Sequence, residues 1–235
     1  MIEVSPKELY NFLSGRKIKY FFHANTVKTS CTLIEQKGLL SRGEITRRML
    51  SMTEQTSDDI DKIYNVWNDI FFDIVDLHGY FHRQNLYGPV CFKLSNEFLL
   101  DKDLPNICIT KKNPIYWKQD MSDEEKYYLT VSEYASEFDK NMKNRTIQAK
   151  MFTIHDTSKR IPFKKYLVEV ILDNPAVKIK GKELFPIAKE ALVSAIGKAG
   201  FDMNILKVRK CINCYCRDNY LNQVPIAELE KLFLP

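Results

Sequence analysis

The residues best suited to chemistry lie within residues 19–40, where residues 20–26 read YFFHANT. His23 follows an aromatic, apolar run, and the small polar residues Asn25 and Thr26 come soon after it. An imidazole between a strand and a helix can bond a ligand, because ligands commonly sit at such edges in α/β layers. For an isolated histidine, a bond to a neighbouring backbone group is the more common explanation.

A second segment adds aromatic side chains. Residues 87–95 read YGPVCFKLS, which predicts a buried strand with Phe92 near its centre and Ser95 at its end. The face of an aromatic ring attracts a flat cationic ligand by about 1 kcal/mol. Tyr87 is a second aromatic residue in the same place. Considered alone, the segment indicates a core strand.

Basic side chains supply two further features. Arg42, Arg47 and Arg48 form a basic stretch, and a guanidinium fork matches the oxygens of a phosphate. A solvated, charged helix face explains the same stretch equally well. Residues 148–154 read QAKMFTI, and they predict a strand that begins near Lys150.

Helices and strands must position these residues, and the spacing of apolar residues predicts both kinds of element. A cap at Ser5 begins the first helix, and Gly38 is expected to end the second. Helices are predicted at residues 5–15, 26–37, 57–77, 122–138, 186–198 and 225–233. Strands are predicted at residues 17–23, 89–94, 106–110, 150–155, 166–172 and 205–216.

Taken in order, these segments resemble the motifs of the ADP-ribosyltransferase fold. They are most similar to its poly-ADP-ribose polymerase and DarT branch, over residues 17–172. The individual motifs are short, and their order and spacing give the resemblance its weight. It implies an α+β fold in which a mixed, split β-sheet core is flanked by helices. It also implies NAD as a co-substrate and no metal.

The resemblance assigns roles in NAD binding to residues of this sequence. His23 would bond the nicotinamide-side ribose, and Asn25, Thr26 and Leu40 would line the same cleft. These residues match the family's first motif, in which a strand ends in histidine and the following helix ends in Gly-Leu.

The same resemblance covers the aromatic and basic segments. Phe92 takes the position of the aromatic residue that stacks on nicotinamide, with Tyr87 as a nearby substitute, and Ser95 falls at the family's serine. An arginine of the basic stretch would contact the diphosphate and assist catalysis, and Arg42 and Arg47 are the predicted residues.

Lys150 departs from the family pattern, because it stands where the family has a catalytic glutamate. A carboxylate there stabilises an oxocarbenium-like transition state, whereas an ammonium group repels the developing positive charge. Three explanations remain open. The register is shifted, the chain is an inactivated variant, or another carboxylate such as Asp156 or Asp218 acts instead.

The predicted function is transfer of ADP-ribose from NAD to a base of RNA or DNA. Such activity is typical of bacterial toxins of toxin–antitoxin or phage-defence systems, including the CmdT-like RNA-modifying toxins, and it implies a possible antitoxin partner. A net charge of +5 and the 12 tyrosines and 14 phenylalanines suit a base-stacking substrate. The alternatives are a protein-directed transferase, a catalytically dead module that binds NAD or nucleic acid, and a ribonuclease toxin that uses His78, His82 and His155.

Composition bounds the organisation of the chain. Its 235 residues are 45% hydrophobic and 28% charged, as in ordinary globular proteins. We predict a single domain over residues 1–235, with the NAD cleft in 1–175 and a helical and strand extension in 176–235. Without an apolar run of about 20 residues or a signal-peptide pattern, we expect a cytoplasmic protein with no membrane partner.

Two groups of metal-ligating residues occur in the sequence, and neither predicts a metal site. His78 and His82 have the i, i+4 spacing of helix-borne ligands, but Gly79 breaks the helix and a third ligand is lacking. Residues 211–216 contain three of the six cysteines, which is half of a zinc pattern at most. Reduced core thiols are the favoured interpretation.

Overall fold

The computed structural model describes residues 2–76, 78, 87–104, 107–143, 151–155, 157–212 and 214–235. Within these residues the chain is α+β, with a central, mostly antiparallel sheet flanked by helices. This agrees with the predicted fold class at the level of its architecture. No helix in the described part of the chain is long and apolar enough to span a membrane.

The described residues form eleven strands, numbered in chain order. They are β1 (Tyr20–Asn25), β2 (Gly38–Leu39), β3 (Ile70–Asp73), β4 (Val90–Ser95), β5 (Ile107–Ile109), β6 (Met151–Ile154), β7 (Ile161–Pro162), β8 (Leu167–Asn174), β9 (Lys178–Ile179), β10 (Lys182–Glu183) and β11 (Leu206–Lys210). Seven of these described strands build the central sheet in the order β11-β8-β4-β1-β3-β6-β5. The β11–β8 pair is parallel, and the other neighbours in this sheet are antiparallel.

The same residues form ten α-helices. They are α1 (Pro6–Gly15), α2 (Val27–Glu35), α3 (Arg42–Arg47), α4 (Asp58–Ile63), α5 (Asp123–Lys126), α6 (Val131–Lys143), α7 (Phe163–Tyr166), α8 (Leu184–Ala199), α9 (Tyr215–Asn222) and α10 (Ile226–Phe233). Side-chain caps start several of them, because the hydroxyls of Ser5, Thr26 and Ser41 accept bonds from backbone N–H groups of the first turn. Helices α2, α8 and α10 pack on one another.

An aromatic cluster forms the centre of the core. Phe21 of β1 is fully buried. Its ring meets Phe72 of β3 and Phe152 of β6 edge-on, at centroid distances of 5.9 and 5.2 Å. Such pairs add about 0.5–1.5 kcal/mol each beyond the burial of their area. The main core contains residues from Val4 to Phe233, and the single-domain organisation remains a prediction.

The junction between β1 and β3 is the narrowest part of the central sheet. On one side β1 pairs with β4 along its whole length, from Tyr20 to Asn25. On the other side, its pairing with β3 is confined within these two described strands to Phe22 opposite Asp73. We call this junction the seam. The resemblance implies a split sheet, whereas the seven strands form one sheet that continues through this narrow junction.

The helix predicted at residues 57–77 is wrong over most of its length. Helix α4 ends at Ile63, Asn65 adopts a left-handed φ of 57°, and the chain continues into β3. Residues 70–73 (IFFD) pair with β6 along their length and with β1 at the seam. Aromatic and β-branched residues favour such pairing, and these tertiary contacts override the helical spacing.

Three other bounds also differ from the prediction. The helix predicted at 122–138 is interrupted between α5 and α6, where Tyr127 bridges to Thr110. The strand predicted at 205–216 ends at Lys210 and gives way to α9. Gly38 does not end α2: Lys37 takes the left-handed φ of 57°, and Gly38 begins β2. The remaining predicted elements are confirmed within a few residues at their ends.

Candidate functional site

A cleft that is open to solvent lies where β1 and β3 part, and it encloses about 170 Å³. Pockets for small molecules commonly enclose about 300–1,000 Å³, so the cleft encloses part of a larger ligand, and the rest would lie in its open mouth. Its walls come from β1, β3, α3, α4 and the 3-10 helix Pro114–Tyr116. The lining residues that carry hydrogen-bonding or aromatic groups are Phe22, His23, Asn25, Thr29, Arg42, Gln55, Thr56, Ser57, Asp61, Trp67, Asp69, Phe71, Phe72, Asp73, Tyr87 and Asn113.

His23 joins the two strands across the seam through its side chain. Its Nδ1 lies 2.8 Å from the carbonyl oxygen of Phe71, and the Nδ2 of Asn25 lies 3.3 Å from its Nε2. Burial lowers the pKa of His23, the positive charge of Arg42 lowers it further, and the bond to Phe71 opposes them. The ring is therefore neutral at pH 7, with Nδ1–H as donor and Nε2 as acceptor.

Asn25 is fixed in turn by the backbone around it. Its Oδ1 accepts a bond of 2.9 Å from the backbone N–H of Thr26, so its amide presents the Nδ2 group to His23. Gly88 packs against the same peptide. A Cβ at Gly88 would lie 2.3 Å from the carbonyl oxygen of Asn25 and 2.5 Å from the nitrogen of Thr26.

Arg42 enters the cleft from the first turn of α3. One of its nitrogens, Nη2, donates to the carbonyl oxygen of Thr53 at 3.0 Å and to Asp58 at 2.6 Å. Its guanidinium carbon lies 5.3 Å from the ring centre of Trp67. The Nε and Nη1 atoms are buried and find no hydrogen-bond partner among the described residues. These two nitrogens of the guanidinium are therefore neither hydrogen-bonded to the described residues nor exposed to solvent, although Arg42 lines the cleft.

Three carboxylates line the cleft: Asp61 on α4, Asp69 just before β3, and Asp73 at the end of β3. Asp69 is held in place, because its two oxygens accept from Thr153 at 2.9 Å and contact the Nδ1 of His155 at 2.8 Å. The sequence prediction missed all three, because it placed residues 57–77 in one helix. The usable signal was the run IFFDIV at residues 70–75, which is too aromatic and β-branched for a surface helix.

The pKa of the Asp61 carboxyl group lies above its ordinary value. Burial and the neighbouring charge of Asp58 raise the pKa of Asp61 to about 6, while a bond from Ser57 and the charge of Arg42 oppose that rise. Carboxyl groups with perturbed pKa values inside clefts are frequent at functional sites.

We expect Asp61→Asn to raise the free energy of unfolding by about 3 kcal/mol at pH 7.5, since the pKa of Asp61 rises to about 6 and each pKa unit is worth about 1.4 kcal/mol. The folded pKa of Asp61 lies above its unfolded value of about 3.9. The folded state therefore binds the proton more tightly, and its stability falls as the pH rises from about 4 to 6. Asparagine does not titrate, so the variant keeps this stability as the pH rises. The free energies of unfolding of the wild type and the variant should therefore become equal near pH 4. Urea unfolding at both pH values measures the difference.

Asp59→Asn is the matched control, because the Asp59 side chain on the same helix is 92% exposed. It should change the free energy of unfolding by less than about 0.5 kcal/mol at either pH. Equal effects of the two substitutions, or a destabilised Asp61→Asn protein at pH 7.5, would contradict the assignment.

The outer wall of the cleft carries an amide and aromatic rings. The Nδ2 of Asn113 donates to the hydroxyl of Tyr87 at 3.1 Å. The 3-10 helix that follows Asn113 packs against α4, and Ile115 and Tyr116 at its end are 49% and 57% exposed. The mouth of the cleft is thus apolar and aromatic on this side.

Five of the sequence-predicted site residues line this cleft together: His23, Asn25, Leu40, Arg42 and Tyr87. They come from three separate segments of the chain, and their roles as site residues remain predictions.

Four other predicted residues lie elsewhere. Thr26 is buried behind the cleft, where its hydroxyl caps α2 and donates to Thr53 at 2.8 Å. Ser95 lies at the far end of β4 and caps the 3-10 helix Asn96–Leu100. The side chain of Arg47 is 68% exposed and pairs with Glu44, as Arg48 does.

Phe92 corrects the prediction for the stacking residue. Its ring centre is 6.3 Å from that of His23 on the paired strand. It is nevertheless fully buried and stacks on Phe163 at 5.1 Å, so its face is already covered by the core. Among the predicted aromatic residues, Tyr87 is the one that lines the cleft.

Lys150, Asp156 and His82 lie outside the described residues. Asp218, the other carboxylate predicted to replace the missing glutamate, is exposed on α9 and does not line the cleft. The two described histidines of the ribonuclease alternative have separate partners, since His78 pairs with Asp173 and His155 with Asp69. No model of a known protein family matches the chain, and no curated protein does.

Proposed function

We propose that the cleft binds NAD and that the protein transfers ADP-ribose from it to a nucleic-acid base. The observation that carries the proposal is the convergence of His23, Asn25, Arg42 and Tyr87 on one cleft. These residue types match the ribose, diphosphate and nicotinamide of NAD, and their order along the chain is that of the family which the sequence resembles.

Each part of the cleft suits one part of the ligand. The neutral His23 offers Nε2 as an acceptor to a ribose hydroxyl, and the 3.3 Å contact from Asn25 is long enough to be exchanged. The guanidinium of Arg42 lines the cleft, and its positive charge and planar fork suit diphosphate oxygens. The ring of Tyr87 suits the face of nicotinamide.

In the proposed reaction, the bond between nicotinamide and C1′ of its ribose breaks, and nicotinamide leaves with the bonding electron pair. A nitrogen or oxygen of the acceptor base then bonds to C1′ and gives its proton to a base or to water. Positive charge develops on the ribose between these events, and a nearby carboxylate stabilises it. Asp61, Asp69 and Asp73 supply carboxylates on the cleft wall, whichever role Lys150 has.

A nucleic-acid acceptor is proposed from charge and composition. The chain has a net charge of +5 and 12 tyrosines. A basic surface attracts phosphates, and aromatic rings stack on unpaired bases. A toxin role, with an antitoxin partner, belongs to the same proposal and rests on the resemblance alone.

The test incubates the protein with NAD labelled in its adenylate phosphate, together with RNA, DNA and cellular protein in separate reactions. The wild type should label one of the nucleic acids. His23→Ala should lose the label, and Arg47→Ala should retain it because Arg47 lies outside the cleft and Glu44 keeps Arg48 as a partner. Label on protein alone would contradict the proposed acceptor.

Two further measurements separate inactivity from a wrong site. Calorimetry with unlabelled NAD reports binding without turnover. Binding that depends on His23, combined with labelling only after Lys150→Glu, would identify the chain as an inactivated variant. Absence of NAD binding to both the wild type and the Lys150→Glu protein would overturn the proposal.

A further inference from the structure

Three thiols meet in the C-terminal part of the chain, away from the cleft. Residues 211–216 contain three of the six cysteines of the protein. The Sγ of Cys216 lies 2.8 Å from that of Cys214 and 3.3 Å from that of Cys211. All three sulfurs lie within 4.8 Å of one another. None of these residues lines the cleft.

Two regular elements hold the sulfurs in this arrangement. Cys211 follows the last residue of β11, and its N–H donates to the carbonyl oxygen of Asn174 at 3.1 Å. Cys214 precedes α9, and Cys216 lies in the first turn of that helix. The change from strand to helix within this segment brings to one point three side chains that a continuous strand would have placed on opposite faces.

The surroundings permit an ion to enter and then keep it from solvent. Cys211 and Cys216 are buried, at 2% and 3% exposure, whereas Cys214 is only partly buried. An ion can therefore reach the sulfur of Cys214 first and then be enclosed by the other two.

We propose that Cys211, Cys214 and Cys216 bind one Zn²⁺ ion. Zinc prefers thiolate ligands at about 2.3 Å, which sets the sulfurs of a tetrahedral site about 3.8 Å apart. The distances of 2.8 and 3.3 Å and the 4.8 Å limit lie on both sides of that value. Side-chain rotations within one short segment bring the three sulfurs to equal separation.

Binding replaces three S–H protons by one metal ion and involves no oxidation. Three thiolates leave the fourth position of zinc to water or to an added ligand, the arrangement of an open rather than a closed site. The ion would fasten the end of β11 to the start of α9. This site is independent of NAD binding, so the two proposals succeed or fail separately.

The test is metal analysis of the full-length protein purified under reducing conditions and equilibrated with Zn²⁺. The wild type should retain about one zinc per chain after removal of loosely bound metal, as metal-dependent structural sites do. Co²⁺ in place of zinc should give the intense near-ultraviolet absorption of thiolate-to-cobalt charge transfer. This readout does not depend on any enzymatic activity.

The variant is Cys214→Ser, because Cys214 is the least buried of the three and its loss disturbs packing least. Zinc affinity should fall by more than about tenfold, since even the loss of an outer partner costs about 10–100-fold. Cys31→Ser is the matched control, a partly buried cysteine on α2 outside the cluster, and it should bind zinc as the wild type does.

Three results would overturn the zinc site. One is a wild-type protein that retains no stoichiometric zinc and shows no cobalt–thiolate band. Another is equal zinc affinity in a Cys214→Ser protein whose circular dichroism matches the wild type. The third is a mass two hydrogens lighter without bound metal under the same reducing conditions, which would identify a disulfide in the cluster instead.

Discussion

Arg42→Ala is expected to abolish the proposed binding of NAD and to lower the free energy of unfolding by about 3 kcal/mol, the cost typical of removing one partner of a buried ion pair. The side chains of Arg42 and Asp58 are 14% and 13% exposed, and their charged atoms approach to 2.6 Å. Alanine leaves the carboxylate of Asp58 largely buried without its cation. Urea unfolding and calorimetry with NAD measure the two effects.

The loss of binding has a second physical cause besides the missing charge. Arg42 also holds the carbonyl oxygen of Thr53, while Asp58 accepts from the N–H of Gln55 at 3.1 Å. The segment between these contacts contributes Gln55, Thr56 and Ser57 to the cleft wall. Removal of the guanidinium therefore loosens a wall of the cleft as well as removing a positive charge from it.

A double substitution separates stability from binding. In Arg42→Ala/Asp58→Ala no unpaired charge remains, so most of the lost stability should return while NAD binding stays absent. Arg47→Ala is the control for a surface arginine of the same helix and should cost less than about 1 kcal/mol. A stable Arg42→Ala protein with unchanged NAD affinity would contradict both the structural role and the proposed function.

Gly88→Ala is expected to destabilise the protein by at least about 3 kcal/mol, with contributions from backbone strain and from overlap. Gly88 has a φ of 120°, a region that residues with a Cβ rarely occupy. The added Cβ would lie 2.3 Å from the carbonyl oxygen of Asn25 and 2.5 Å from the nitrogen of Thr26. Both are backbone atoms of β1 and its turn into α2, which cannot rotate away.

The melting temperature should fall by at least about 6 °C, because a chain of this size loses about 2–4 °C for each kcal/mol. The strain acts on the residue that orients His23, so binding in the cleft should weaken as well. Gly15→Ala provides the control, since nothing lies within 4 Å of a Cβ at that position. A Gly88→Ala protein that melts within about 2 °C of the wild type would show that the backbone can yield there.

Local signals made much of the fold predictable from the sequence. Ser5 does cap the helix that it was expected to cap, because capping needs only residues within one turn. The strand β3 was not predictable in the same way. Its residues take strand form through pairing with β1 and β6, and no local pattern specifies those partners.

The difference between local signals and tertiary contacts also explains which residues of the candidate site could be predicted. The sequence predicted that an arginine among residues 42–48 lines the cleft, but it did not indicate which one. Arg42 lies in the cleft because it forms an ion pair with Asp58, which is distant in sequence. Arg47 instead forms an ion pair with Glu44, one helical turn away. The carboxylates Asp69 and Asp73 were missed for the reason that β3 was missed.

The aromatic residues show a third limit of sequence reasoning. Phe92 and Tyr87 belong to one segment, and the pattern favoured Phe92 for the stacking role. Phe163 covers the Phe92 ring, while Asn113 holds the Tyr87 hydroxyl at the cleft. Both partners come from other parts of the chain, so the choice between the two rings depends on tertiary packing.

Because the seam is narrow, most of the backbone pairing in the central sheet lies within two groups of strands. One group is β11-β8-β4-β1 and the other is β3-β6-β5, each with its own hydrogen-bonded ladder. They are joined by the Phe22–Asp73 pair, the side chain of His23 and the Phe21 cluster. A ligand that spans the cleft contacts both groups of strands. Its binding free energy would therefore stabilise the β1–β3 junction, where backbone pairing within the sheet contributes least.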